Sequence, residues 1–308
     1  MKRTFLYILA ALLAMSCKNN SVQNKNEDDK PVITVTIEPL RYFTEAIAGD
    51  NFNVVSMVPK GSSPETYDPT PQQLVDLAKS KAYFRIGYIG FEQTWMDKLT
   101  DNAPHLQFFD TSRGIDLIFD SSHVHHHHGD DKAHAHDSIQ KDEHHILGVE
   151  PHIWSSAYNA QIIAGNIVNA LCTIDKNNEE TYMGRYKNLC NQIEHTDSLI
   201  CHMLSAPNAD RAFMIYHPAL SYFARDYGLH QISIEEDGKE PSPSHLKNLI
   251  DTCKEEKVRV IFVQPEFDRR NAEIIAKQTG TKVVPINPLS YDWEEEMLNI
   301  ARELVVKK

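Results

Sequence analysis

The side chains best suited to chemistry in this chain are its imidazoles, and they are unevenly placed. Sixteen histidines are present, and ten of them fall between His123 and His152. Clustered imidazoles favour zinc and copper over harder metals. The dense run is His123, His125, His126, His127 and His128, followed by His134, His136, His144 and His145, with Asp130 and Asp131 interspersed. Residues 121–145 hold almost nothing apolar, so they are expected to form a long surface loop rather than core. Metal sites in such a loop should be weak, because binding must order the chain. Three further residues stand in different contexts. Glu65 lies in Gly61-Ser62-Ser63-Pro64-Glu65-Thr66-Tyr67-Asp68-Pro69, His152 in Glu150-Pro151-His152-Ile153-Trp154, and His217 in Ile215-Tyr216-His217-Pro218. One carboxylate and two imidazoles suit Zn²⁺. The oxygen donor keeps Mn²⁺ or iron as an alternative.

Ligands of open α/β sheets sit beyond the carboxyl ends of strands, so the elements matter. Strands are predicted over residues 32–37, 52–58, 83–89 and 106–109, with helices over 40–48, 71–80 and 91–99. A second alternating set has strands at 212–216, 231–235, 258–263 and 282–286, and helices at 218–227, 244–256, 269–279 and 291–306. This alternation predicts an α/β fold with parallel sheets and about four βα units in each half. Between the halves, Tyr182, Tyr186, Leu189, Ile193, Ile200 and Leu204 recur at helical spacing. They predict one helix over 179–204, about 39 Å long, able to bridge two lobes.

The N-terminus has the pattern of a targeting segment. Lys2 and Arg3 precede an apolar run over residues 5–14 that is too short to span a bilayer. Leu13-Ala14-Met15-Ser16-Cys17 then looks like a bacterial lipobox, with cleavage before Cys17 and lipid on its thiol. The expected organisation is a lipoprotein signal peptide (1–16), a disordered tether (17–30), an N-terminal lobe (31–177), a linking helix (178–206) and a C-terminal lobe (207–308). The expected location is extracytoplasmic, anchored by lipid to a bacterial membrane on its periplasmic face, and the expected state is a monomer. The formal net charge of −12 argues against a nucleic-acid partner. Cys172, Cys190, Cys201 and Cys253 match no zinc-finger spacing, and an oxidising compartment leaves room for one or two disulfides.

The local contexts carry a resemblance. The segment from Gly61 to Pro71, the run Glu150-Pro151-His152-Ile153-Trp154, and above all Tyr216-His217-Pro218-Ala219-Leu220-Ser221-Tyr222-Phe223 resemble the three ligand loops of the cluster A-I substrate-binding proteins. These are the zinc- and manganese-binding receptors of ABC transporters. Pro241-Ser242-Pro243 and Phe262-Val263-Gln264-Pro265-Glu266-Phe267-Asp268 are similar to further landmarks, and the resemblance covers residues 31–308. It implies two (βα)4 lobes with parallel sheets, a rigid connecting helix, a metal in the interlobe cleft, and a cognate permease and ATPase as partners. A His-rich insertion at this place looks like a trait of the zinc members. Two positions depart from the pattern: Glu65 stands where the family usually has histidine, and Asn287 where a fourth ligand, when present, is aspartate. The fourth position is then open to water, to a second oxygen of Glu65, or to another carboxylate, for which Glu266 and Asp292 are the candidates. The competing classes are a zinc hydrolase and an extracellular metal store or adhesin. No His-Glu-x-x-His and no nucleophile–base pair supports the hydrolase, so no catalytic residue is expected.

Overall fold

The central strands are apolar on both faces because helices cover both sides of each sheet. The computed structural model describes residues 30–119, 148–236 and 238–305. The expected signal peptide, the tether with Cys17 and the His-rich segment 121–145 lie outside the described residues, apart from Lys30. In the first half, β1 (Val32–Val35), β2 (Asn53–Ser56), β3 (Ala82–Arg85) and β4 (Gln107–Asp110) form an all-parallel sheet in the order β2-β1-β3-β4. Its connections carry α1 (Glu38–Ala48), α2 (Pro71–Leu77) and α3 (Gly90–Asn102). Thr70 and Gln73 make a reciprocal capping box at the start of α2, with Pro71 in the first turn.

Two helices follow, α4 (Ala157–Ile174) and α5 (Glu179–Leu204). The second half repeats the first. β5 (Ala212–Ile215), α6 (Ser221–Tyr227), β6 (His230–Ser233), α7 (Pro243–Glu255), β7 (Val260–Val263), α8 (Arg270–Thr279), β8 (Lys282–Pro285) and α9 (Trp293–Glu303) alternate along the chain. Its sheet is also parallel, in the order β6-β5-β7-β8. The fold is therefore α/β, two four-stranded parallel sheets linked by a long helix. α5 buries the stripe Tyr182, Leu189, Ile193, Thr196, Ile200 and Leu204, and packs on α1 and α4 of the first half and on α9 of the second.

The structure differs from the sequence reading in three ways. Every strand is four residues long, shorter than all but one of the predicted runs. The sixth helix begins at Ser221 rather than Pro218, since Pro218 and Ala219 turn the chain directly after His217, closed by Ala219 N–H to the His217 carbonyl at 2.7 Å. Helix α4 was not anticipated. It contains Gly165 and three asparagines, so propensity is weak there, although Ala160, Ile163, Ala164, Ile167, Val168 and Leu171 recur at helical spacing. Burial against α1 and α5 makes it helical. The room left for disulfides is not used: Cys172, Cys190, Cys201 and Cys253 are free thiols. Cys253 is buried, with Sγ 3.2 Å from Thr281 Oγ1.

Bonds across the two halves fix their spacing. Trp154 Nε1 donates to the Pro288 carbonyl at 2.8 Å, and Trp293 Nε1 donates back to the Trp154 carbonyl at 2.7 Å. Both indoles are fully buried. Tyr42 donates to Glu294 and Tyr291 to Glu45, each at 2.6 Å. Trp293→Phe keeps most of the ring packing but leaves a buried carbonyl without its donor. It should lower stability by about 1–3 kcal/mol, read as a lower denaturant midpoint with an unchanged slope.

Candidate metal site

His217 stands two residues past the end of β5, at the point where the order of the second sheet reverses, the usual ligand crevice of such sheets. The buried side chain of Gln264, just after β7, clamps it. Gln264 Oε1 accepts the His217 N–H at 3.3 Å, and Gln264 Nε2 donates to the His217 carbonyl at 2.6 Å. Phe267 stacks on the imidazole at 5.2 Å and 18°. His152, 5% exposed, precedes the single turn Ile153–Ser155 and packs against the Trp154 ring at 5.2 Å.

A carboxylate stands behind each histidine. Glu150 Oε1 lies 2.5 Å from His152 Nδ1, and Glu235 Oε1 lies 2.7 Å from His217 Nδ1. Burial works to raise the Glu150 pKa, but the neighbouring His152 outweighs it and the carboxyl ends below its ordinary value. An ionised carboxylate only accepts, so Nδ1 is the N–H side of both rings and Nε2 is turned into the pocket. The two Nε2 atoms face each other at 3.2 Å, from opposite halves of the chain. Two bare lone pairs at that distance repel unless a cation lies between them. Two nitrogens on a tetrahedral zinc, at about 2.05 Å each, are about 3.3 Å apart. The imidazoles therefore stand at metal-bite spacing.

Glu65 follows β2 and enters the same pocket. Its Oε2 accepts the Gly90 N–H at 3.0 Å, while its Oε1 is buried with no hydrogen-bond partner. A buried acceptor left this way needs a donor or a cation. The approach requires glycine at 90, since a Cβ there would stand 2.5 Å from the Glu65 carbonyl oxygen and 2.7 Å from Oε2. Glu92 anchors the loop leading to Gly90. It accepts N–H groups from Ile86, at 2.9 Å, and Gly87, and the hydroxyl of Thr36. Full burial pushes its carboxyl up to about 7, against the pull of those bonds.

Glu65, His152, His217 and Glu266 line one cavity of about 20 Å³, together with Gln264 and Phe267 and without any Lys or Arg. That is room for one ion-sized guest. Burial raises the Glu266 carboxyl, with His217 opposing. Asn287 and Asp292 line the adjoining cavity, beside Glu38 and Lys60. Among the described residues, no three His, Cys, Asp or Glu side chains already form a closed metal cage. The two histidines face each other, and Glu65 and Glu266 line the same pocket. The sequence reading missed Glu150, Glu235 and Gly90. Glu150 carried a local signal, two residues from His152. Glu235 and Gly90 carried none, because only the fold brings them to their partners.

Two parallel α/β halves, joined by a long helix and meeting at a carboxylate–imidazole pocket, define a substrate-binding protein of the ABC-transporter type. Residues 33–305 match the family model described as the periplasmic component A of the zinc-uptake complex, and the chain belongs to that family. It is 28% identical over 303 residues to the high-affinity zinc uptake system protein ZnuA of Bacillus subtilis, covering 94% of this chain and 90% of that protein. It is 25% identical to the zinc-binding lipoprotein AdcA of Streptococcus pneumoniae, of which it spans only 55%. It is 26% identical to the iron ABC transporter substrate-binding lipoprotein MtsA of Streptococcus pyogenes, over 89% of this chain and 84% of that one. Among solved structures, a crystal structure of ZnuA superposes with a TM-score of 0.77 at 33% identity, covering 89% of this chain and 98% of that one.

Two outcomes follow from the site geometry. Gly90→Ala, which touches no metal, should push Glu65 aside and weaken metal binding about tenfold or more, with the circular-dichroism spectrum unchanged. Burial lowers the His152 pKa, but Glu150, with Glu65 and Glu235, outweighs it and the net shift is upward. The proton therefore competes with metal from above the ordinary imidazole value of about 6.5, and affinity should rise with pH through that window. Glu150→Gln removes the largest raising influence, so chelator-competition titrations across pH should show its loss of affinity beginning at lower pH than in the wild type.

Proposed function

We propose that this chain captures zinc outside the cytoplasmic membrane and delivers it to an ABC permease driven by its ATPase, with Glu65, His152 and His217 as ligands. One observation carries the ligand assignment: two carboxylate-backed imidazoles present Nε2 atoms 3.2 Å apart in a pocket that holds a buried, unpartnered Glu65 oxygen. Membership of a zinc-uptake family supports the metal. So does the zinc-bound crystal structure of an internal-deletion ZnuA, 32% identical over 91% of this chain with a TM-score of 0.77. The family is one of transport components, so the chain is a receptor and not an enzyme. The lipoprotein names of AdcA and MtsA support a lipid anchor at Cys17, and no helix among the described residues is long and apolar enough to cross a membrane. The imidazoles of segment 121–145 serve as weak collecting sites that raise zinc concentration near the cleft.

A second reading, a manganese or iron receptor of the same type, is favoured by one feature. Glu65 gives an oxygen donor where the resemblance calls for histidine, and oxygen suits harder metals. The likeness to the iron-transporter lipoprotein MtsA agrees with it. Competition titrations with zinc and manganese test both readings. Glu65→Ala, His152→Ala and His217→Ala should each weaken zinc binding by about a hundredfold, the top of the range for outer partners, or more. Glu65→His should keep zinc and lose manganese. Unchanged zinc affinity and an unchanged zinc-to-manganese ratio in both Glu65 variants would remove Glu65 from the site.

A further inference from the structure

We infer that Glu266 is the fourth donor of the cleft, closing it as a site of two imidazoles and two carboxylates. The inference rests on Glu65, His152 and His217 being the first three. The other two side-chain candidates stand outside the pocket of the histidines. Asn287 Oδ1 accepts the Leu289 N–H at 3.1 Å, and the Asn287 N–H donates to Glu296 at 2.8 Å. Asn287 and Asp292 both line the adjoining cavity and not the pocket of the histidines. Glu266 does line that pocket, with Glu65, His152 and His217.

Its place in the chain gives it a fixed relation to His217. Gln264, two residues before it, clamps the His217 backbone at both its N–H and its carbonyl. Phe267, the next residue, stacks on the His217 ring. One short loop after β7 therefore orients the imidazole and carries the carboxylate. Glu266 is half-buried whereas His152 is buried, so it is the more solvent-accessible of the two residues lining the pocket. Glu65 and Glu266 together offset the two charges of a divalent ion in a pocket whose lining includes no Lys or Arg, while Glu150 and Glu235 stand behind the histidines. A shell with two oxygens also discriminates less against manganese than one richer in nitrogen.

The test uses the full mature chain and three substitutions. Zinc affinity is measured by chelator competition, and cobalt(II) is added as a spectroscopic probe of coordination. Glu266→Gln should weaken zinc about tenfold or more and change the visible cobalt spectrum as the anionic donor is lost. Glu266→Asp should recover part of both. Wild-type affinity in Glu266→Gln, with binding abolished in His152→Ala, overturns the inference and leaves the three-ligand reading intact. Wild-type affinity in both overturns that reading as well. Weaker zinc with an unchanged cobalt spectrum reduces Glu266 to a distant charge and also overturns the inference.

Discussion

A carboxylate can only accept a hydrogen bond, and two of them set the character of this pocket. Glu150 and Glu235 each hold Nδ1 of one histidine. That single constraint chooses the tautomer, turns Nε2 inward and makes each ring a better donor. The support is not confined to one half. Glu150 lies in the first half, yet its Oε2 accepts the Ser221 hydroxyl at 3.0 Å and its carbonyl accepts the Tyr222 hydroxyl at 2.9 Å, both from α6 of the second half. The orientation of His152 thus depends on the two halves being together.

The spacing of the facing nitrogens depends on the same assembly. Trp154 is two residues from His152, and its indole and carbonyl are both bonded across to the second half, through Pro288 and Trp293. Phe43 meets Trp293 edge-on at 5.3 Å, and the Arg41 guanidinium lies 4.7 Å over the Tyr291 ring. Buried bonds of this kind add only about 1 kcal/mol each when made but cost more when one partner is removed. Such a frame ties the two halves together beside the pocket.

Much of this was readable beforehand, and the exceptions have physical causes. Strand–helix alternation and the 179–204 stripe gave the α/β class and the linking helix, because burial on one helix face leaves a periodic record. The same record runs through α4, where Ala160, Ile163, Ala164, Ile167, Val168 and Leu171 are buried at helical spacing, but Gly165 and three asparagines lower its helix propensity. The residues Glu65, His152 and His217 could be selected because each lies just beyond a strand or in a recognisable loop. Glu235 could not: it is separated from His217 by a helix and a strand, and only the neighbouring positions of β5 and β6 bring it to Nδ1.

What the sequence determined alone was composition and periodicity: an imidazole-rich chain of negative charge, two alternating halves and a helix long enough to join them. These are local properties, fixed by residue type and spacing. The tertiary structure decided which nitrogen of each histidine faces the pocket, that Gly90 must lack a side chain for Glu65 to enter, and that Asn287 and Asp292 border a different cavity from Glu266. Each of those depends on how segments remote in sequence are placed against one another. Packing sets that placement, and no local pattern encodes it.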